Sequence, residues 1–282
     1  MPEELRQAPP SKPLRLPNAR RVLAVASGKG GVGKSTVAVN LALALAAKGH
    51  RVGLLDADVH GPNVPLMLGV RRKEPVRGWE AMLPIGSASD TPPQRLPALE
   101  RYGIKMMSVG LLVGEEQSAM LENVQMVGWM VRHLLTMVEW GELDILLIDF
   151  PPGTSEPQAT LLATVALDGV VMVVTPQDLA LLDSTRAMNA FAQSGVPMTG
   201  VVENMSYLIC PCCDEKIQVF HRSQVPRAIT AGDVPLLAEI PIEPAISEAA
   251  DTGRPMIVTH PDSRQAAVFL DLADVVAGRV GL

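Results

Sequence analysis

Apolar residues in this chain gather into short unbroken runs instead of alternating with polar ones. Val22 to Ala26, Val52 to Asp56, Ile104 to Val109, Ile145 to Asp149, Val170 to Val174 and Val196 to Val202 are rich in valine, isoleucine and leucine. A strand that is apolar at nearly every position is buried on both faces, the condition met inside a parallel sheet covered by helices. Helix-length segments separate the runs: Thr36 to Lys48, Val124 to Trp140, Glu156 to Ala166 and Leu179 to Gln193. This alternation predicts an α/β fold with a mostly parallel central sheet flanked by helices. Residues 1–19 hold five prolines and no periodicity, so they are expected as a flexible tail ahead of one domain spanning 20–282. Residues 71–100, rich in Pro, Arg and Gly, are expected as a surface excursion within that domain.

Composition narrows the picture. With 48% hydrophobic and 19% charged residues, the 282-residue chain has the makings of a core and is not intrinsically disordered. No apolar run approaches the roughly 18 residues of a spanning helix, so no membrane partner is expected. The formal net charge of −6 offers no field to attract phosphate backbones, and nucleic acid is not expected as a partner either. Met1-Pro2-Glu3-Glu4 lacks a basic segment with an apolar stretch behind it. Arg20-Arg21 is followed only by Val22 to Ala26 before glycine intervenes. A cytoplasmic protein is expected. All three cysteines lie between Cys210 and Cys213, too clustered to staple a fold and better suited to metal or redox chemistry.

Directly after the first apolar run stands Ser27-Gly28-Lys29-Gly30-Gly31-Val32-Gly33-Lys34-Ser35-Thr36, and Gly28 to Ser35 fits G-x-x-x-x-G-K-[ST]. Strand, glycine loop and helix follow in the order such a loop needs. Backbone N–H groups free of obstructing side chains can then converge on phosphate oxygens at the positive end of a helix. Lys34 is placed to contact β and γ phosphates, the Ser35 hydroxyl to ligate Mg²⁺, and Thr36 to donate to an α-phosphate oxygen. Asp56 and Asp58 sit at the carboxyl end of the second run, where open α/β sheets place ligands. Asp149 ends Ile145-Leu146-Leu147-Ile148-Asp149, a carboxylate emerging from a buried strand beside the loop. Such a residue holds Mg²⁺ through water, and Phe150-Pro151-Pro152-Gly153-Thr154 is then the segment that senses the γ-phosphate. Asn204, at the end of the sixth run, is a candidate reader of a base edge; a turn-forming asparagine is the other reading. Cys210 and Cys213 form C-x-x-C, which supplies two thiolates where zinc and [4Fe-4S] clusters both want four. A symmetric dimer closes such a site, whereas a structural zinc or a redox pair is the alternative.

Lys29, a second lysine within the loop, gives K-G-G-x-G-K-[ST] over Lys29 to Ser35. The sequence here resembles the deviant P-loop ATPases, the MinD/ParA-like class with a SIMIBI-type fold. That resemblance implies ATP as nucleotide and nucleotide-dependent dimerisation, with Lys29 reaching in trans to the partner's nucleotide and Asp58 orienting the attacking water. Further motifs narrow the likeness: Asp56-Ala57-Asp58-Val59-His60-Gly61-Pro62-Asn63-Val64-Pro65, Ile148 to Thr154, Val202 to Ser206 ahead of Cys210-Pro211-x-Cys213, and Glu239-Ile240-Pro241-Ile242. Over residues 20 to about 260 the chain resembles the Mrp/ApbC family of iron-sulfur cluster carriers. The family implies an ATP-modulated homodimer that holds a [4Fe-4S] cluster between subunits, receives it from cluster donors and passes it to apo iron-sulfur proteins. On this reading Gly28, Lys29, Gly30, Gly31, Val32, Gly33, Lys34, Ser35, Thr36, Asp56, Asp149, Asn204 and Pro241 bind the nucleotide. Cys210 and Cys213, in a loop at 205–220, bind the cluster. The chain departs from the family pattern at Cys212, a third thiol, at Asp214 in place of glycine, at His221-Arg222-Ser223-Gln224 and at Glu122 to Gln125. A MinD/ParA-like spatial organiser bearing a structural zinc or redox C-x-x-C is the alternative. It needs a basic or membrane-binding face, and Asp262 to Leu282 holds only Arg264 and Arg279 against three aspartates.

Overall fold

The computed structural model describes residues 12–59, 61–70, 95–112, 124–154, 156–177, 182–220 and 234–282. Its strands are β1 (Ala19–Ser27), β2 (Val52–Asp56), β3 (Leu96–Pro97), β4 (Leu99–Arg101), β5 (Ile104–Ser108) and β6 (Val138–Glu139) in the first half. Then come β7 (Leu143–Asp149), β8 (Gly169–Val174), β9 (Met198–Glu203), β10 (Leu208–Ile209), β11 (Lys216–Ile217) and β12 (Leu236–Glu239). An eight-stranded sheet runs in the order β12-β9-β8-β1-β7-β2-β5-β4. Every pairing within it is parallel except β4 against β5 at one edge. Each of the six apolar runs supplies a strand of this sheet, and the central ones are buried on both faces, as at Leu23 to Ala26 and Ile145 to Ile148.

The helices are α1 (Lys34–Ala47), α2 (Val64–Met67), α3 (Val124–Met137), α4 (Glu156–Thr164), α5 (Leu182–Gln193), α6 (Pro244–Thr252), α7 (Met256–Thr259) and α8 (Arg264–Val280). Among the described residues no helix is long and apolar enough to cross a membrane. α1 is buried nearly all round, from Val37 to Leu45, because the sheet lies on one side and α8 on the other. An apolar circumference is what a central helix requires. α8 presents Phe269, Leu272, Ala273 and Val276 to that contact.

Three elements differ from expectation. The helix expected to run to Trp140 stops at Met137. There Val138 and Glu139 pair in parallel with Leu96 and Pro97, and the Trp140 indole donates to the Leu134 carbonyl at 3.0 Å. The ordered chain also begins upstream of residue 20, since the Leu14 N–H donates to Thr164 O (2.7 Å), the Ala166 N–H to Leu14 O (2.9 Å), and Leu16 is buried. Short strands at Leu96–Pro97 and Leu99–Arg101 close the segment expected as a surface excursion; residues 71–94 of that segment, like residues 1–11, lie outside the described residues.

The Arg20-Arg21 pair has a structural partner. Arg20 Nη2 donates to Gly281 O at 2.9 Å and Arg21 Nε to Val280 O at 2.5 Å, so β1 caps the carbonyl end of α8 with two cations. Arg21→Ala is expected to cost about 1 kcal/mol. By differential scanning calorimetry the Tm then falls by roughly 2–4 °C; an unchanged Tm shows that the cap contributes nothing.

Candidate functional site

The glycine loop spans Gly28 to Gly33 between β1 and α1. Gly33 lies at φ +82° and is the helix N-cap, with no side chain to satisfy the first N–H groups of α1. Unsatisfied N–H groups at a helix start are a ready anion site. Two close approaches fix glycine here: a Cβ on Gly33 would meet Asn204 Nδ2 at 2.2 Å, and one on Gly28 would meet the Ser184 backbone nitrogen at 2.5 Å. The Ser27 hydroxyl donates to Lys29 O at 2.9 Å and steadies the loop's first turn.

Charge concentrates at the carboxyl edge of the sheet, where the parallel register sets Ser108, Asp56 and Asp149 side by side on β5, β2 and β7. Lys34 Nζ lies 2.6 Å from Asp149 Oδ1 and 3.3 Å from Asp58 Oδ2. Ser35 Oγ donates to Asp149 Oδ2 at 2.6 Å. Ser108 Oγ donates to Asp56 Oδ2 at 2.9 Å, and the backbone N–H groups of Asp58 and Val64 point to the same carboxylate at 3.2 and 3.3 Å. Asp56 thereby shapes the turn from Asp58 to α2. Burial, then the adjacent Asp149, pushes the Asp56 carboxyl up to about 8. Burial also raises Asp149 against the opposing pull of Lys34. Burial alone lowers Lys34, but Asp149 and Asp58 outweigh it and hold the ammonium charged. Lys34 therefore pairs with Asp149 and Asp58 beside a neutral Asp56 carboxyl, and the Asp149 oxygens next to the Ser35 hydroxyl are the donors that fit a hard divalent cation such as Mg²⁺.

Asn204 is buried, and its Nδ2 donates to Val32 O at 2.8 Å, so it clamps the glycine loop and has one N–H and its carbonyl to spare. Pro241 is buried alongside it: the Ile240 N–H donates to Glu203 O (2.8 Å) and the Ser206 N–H to Ile240 O (2.9 Å). Met205, at φ +55°, turns the chain between them. Lys29 and Gly30 are exposed on the loop, Thr36 is half-buried in the first turn of α1, and His60 lies outside the described residues.

From Asn204 the chain continues through Tyr207 into the hairpin of β10 and β11, whose tip carries the cysteines. The Asp214 N–H donates to Cys210 O (3.0 Å), the Cys210 N–H to Glu215 O (2.9 Å), and Asp214 takes φ +58° where glycine is the easier residue. Arg264 Nη1 pairs with Asp214 at 2.9 Å and ties this tip to the start of α8. The neighbouring backbone N–H groups of Cys212 and then Cys213, with the Cys213 thiol, favour the Cys210 thiolate and hold its pKa below the usual thiol value. The three cysteines are free thiols, Cys212 and Cys213 exposed. Among the described residues no group of three or more His, Cys, Asp or Glu is arranged to hold a metal ion. His221 to Gln224 lie outside the described residues.

Sequence reasoning missed Ser108 and the buried Glu203–Ser206 pair, in which Ser206 Oγ donates to Glu203 Oε1 at 2.6 Å. Ser108 carries the same signal as Asp149, a polar residue closing an apolar strand, but it was absorbed into the run ending at Val109.

Sheet order, glycine loop and carboxylates define a P-loop NTPase. The chain belongs to the NUBPL iron-transfer family of ParA-type P-loop NTPases, whose sequence profile matches residues 18–277. It is 39% identical over 264 residues to an iron-sulfur cluster carrier protein of Aquifex aeolicus, covering 93% of this chain and 69% of the relative. It is 42% identical over 267 residues to an Arabidopsis thaliana mitochondrial iron-sulfur protein required for NADH dehydrogenase (94% and 80% covered). A nucleotide-binding protein of Archaeoglobus fulgidus, solved in complex with ADP, superposes with TM-score 0.70 at 33% identity over 90% of this chain and 94% of that one. The cell-division ATPase MinD of Pyrococcus furiosus shares the fold (TM-score 0.67, 24% identity, 92% and 99% covered).

Asp56 makes stability depend on pH. Its carboxyl rises from 3.8 to about 8 on folding, so its contribution is complete below pH 4 and is lost as pH rises through 8. Asp56→Asn carries no such titration. In calorimetry without added nucleotide, the Tm difference between variant and wild type should shift toward the variant as pH rises from 5 to 9. A pH-independent difference contradicts this.

Proposed function

We propose that this chain is an ATP-binding and ATP-hydrolysing carrier of iron-sulfur clusters, cytoplasmic, working as a homodimer that holds one [4Fe-4S] cluster between Cys210 and Cys213 of both copies. Residues 20–282 act as one ATPase unit. The observation that carries the reading is a continuous piece of chain: Asn204 clamps the glycine loop, and the same segment leads directly to the cysteine-bearing turn at Cys210. A change at the phosphates reaches the cluster ligands through one hydrogen bond, from Asn204 to Val32 O, and the short run of main chain from Asn204 to Cys210. The names of relatives described as cluster carriers support the cargo, and the half-site at each loop supports sharing it across a two-fold axis.

In this reading the glycine-loop N–H groups and Lys34 hold the β and γ phosphates, while Asn204 and Pro241 flank the base. Ser35 and, through water, Asp149 hold Mg²⁺, which supplies neutralisation of phosphate charge. Asp58 positions water for in-line attack: a phosphorus–oxygen bond forms to the water oxygen, the bond to the β-phosphate oxygen breaks, and ADP and phosphate leave. Lys29 of each copy neutralises charge on the nucleotide of the other. Turnover is slow, because hydrolysis serves to shift the segment from Phe150 to Thr154 and the cysteine loop between two populations. Clusters come from donor proteins and leave to apo-proteins. The spatial-organiser alternative lacks a cationic face at α8, where Arg264 is already paired with Asp214.

Anaerobic reconstitution with iron and sulfide tests the ligands. Wild type should gain visible cluster absorbance and iron, and Cys210→Ala and Cys213→Ala should each lose nearly all of it; unchanged iron in both rejects the assignment. Lys34→Ala should lose ATP binding by calorimetry and keep its fold, because Asp149 takes up a proton once its cation is removed.

A further inference from the structure

Gln158 lies in the first turn of α4 on the stripe that includes Leu161 and Leu162, and it is 1% exposed. Both polar atoms of its amide, Oε1 and Nε2, are buried without a hydrogen-bond partner among the described residues. An unpaired buried amide is destabilising, and an apolar side chain of similar shape relieves it. The stripe is otherwise built to pack: Leu161 is fully buried, and α4 meets α3 so closely that a Cβ on Gly128 would touch Thr160 Cγ2 at 2.5 Å. An amide on that stripe is the kind of local violation that functional positions carry.

Its place along the chain gives the violation a use. α4 directly follows the segment from Phe150 to Thr154. Phe150 is fully buried, its ring 5.7 Å from that of Phe191 on α5. Beyond this anchor the Gly153 N–H donates to Ser27 O at 2.9 Å, Pro152 and Gly153 are half-buried, and Thr154 is exposed. A shift of this segment moves the first turn of α4, and with it Gln158, while the Phe150 anchor stays.

We propose that Gln158 is a positioning residue for this γ-phosphate-facing segment: the described arrangement leaves its amide unpaired, and a second arrangement, selected by a nucleoside triphosphate, pairs it. The orphan amide penalises the first arrangement and so brings the two closer in free energy, which lets the small difference between a triphosphate and a diphosphate decide between them. Gln158 touches neither nucleotide nor reacting atoms; it acts through the segment. The proposal rests on the ATP reading above.

The test uses full-length Gln158→Leu and Gln158→Met beside wild type, with two readouts: Tm without nucleotide, and calorimetric affinity for Mg²⁺-ADP and for a non-hydrolysable Mg²⁺-ATP analogue. The expected result is a Tm raised by roughly 2–4 °C, ADP affinity within twofold of wild type, and analogue affinity lowered about tenfold, within the usual range of coupling between two states. At least one variant as stable as wild type with this selective loss supports the proposal. Any other outcome overturns it, including lower Tm in both variants, which means that the amide is paired after all, for instance by a buried water. Equal loss of both nucleotides or no loss likewise overturns it. If wild type binds neither nucleotide, the ATP reading itself fails and takes this role with it; if wild type binds both, only the role of Gln158 is at stake.

Discussion

One buried ammonium set against three carboxylates at the edge of a parallel sheet governs the rest of this molecule. Lys34 opens α1, and Asp56 and Asp149 stand in register on neighbouring strands. Only a parallel sheet with β1, β7 and β2 adjacent brings the start of α1 and the two strand ends to one point. The all-apolar strands and the all-round apolar α1 are what such an interior point demands, since charges there are tolerated only if they are paired and hydrogen-bonded. Ser35, Ser108 and the N–H groups of Asp58 and Val64 supply those hydrogen bonds. Burial holds the Asp56 carboxyl neutral below about pH 8, so the charge kept at this edge is Lys34 set against Asp149 and Asp58.

Around this point three loops gather at the sheet edge. The turn from Asp58 to α2 is held by Asp56, the turn from Phe150 to Thr154 follows Asp149, and the loop from Asn204 to Cys210 starts on the glycine loop itself. Each is a loop at the carboxyl end of a strand, the place where α/β sheets keep their movable parts. Under the proposed function, phosphate chemistry at the glycine loop and sulfur chemistry at the third loop are joined by the Asn204–Val32 hydrogen bond and the chain that follows it. The Asp214–Arg264 pair adds a surface link from the sulfur turn to α8, and α8 packs on α1.

Much of this was legible in the sequence, for a physical reason: unbroken apolar runs can only be buried strands or buried helices, and the glycine loop told which. The strand ends carrying Asp56 and Asp149 were readable because a carboxylate after an apolar run has to point somewhere useful. Val138 and Glu139 were not, since their strand exists only through Leu96 and Pro97, far away in sequence. Leu14 and Leu16 were hidden among prolines, whose composition says disorder while two leucines dock. Asn204 was seen as a base reader, but its hold on Val32 is a tertiary contact that no local pattern announces. Gln158 was passed over because an amide inside a helical apolar stripe reads as a surface position until its burial is known.

The claim on which the account turns is that two copies of the chain are needed to enclose one cluster, since each sulfur turn offers only half of the ligands. Native mass spectrometry of protein loaded anaerobically with iron and sulfide, in saturating Mg²⁺ and ATP analogue, measures this directly. The account predicts a dimer retaining one four-iron cluster and reverting to monomers when iron is chelated. A single chain that retains the whole cluster, or loaded protein that never dimerises, contradicts it.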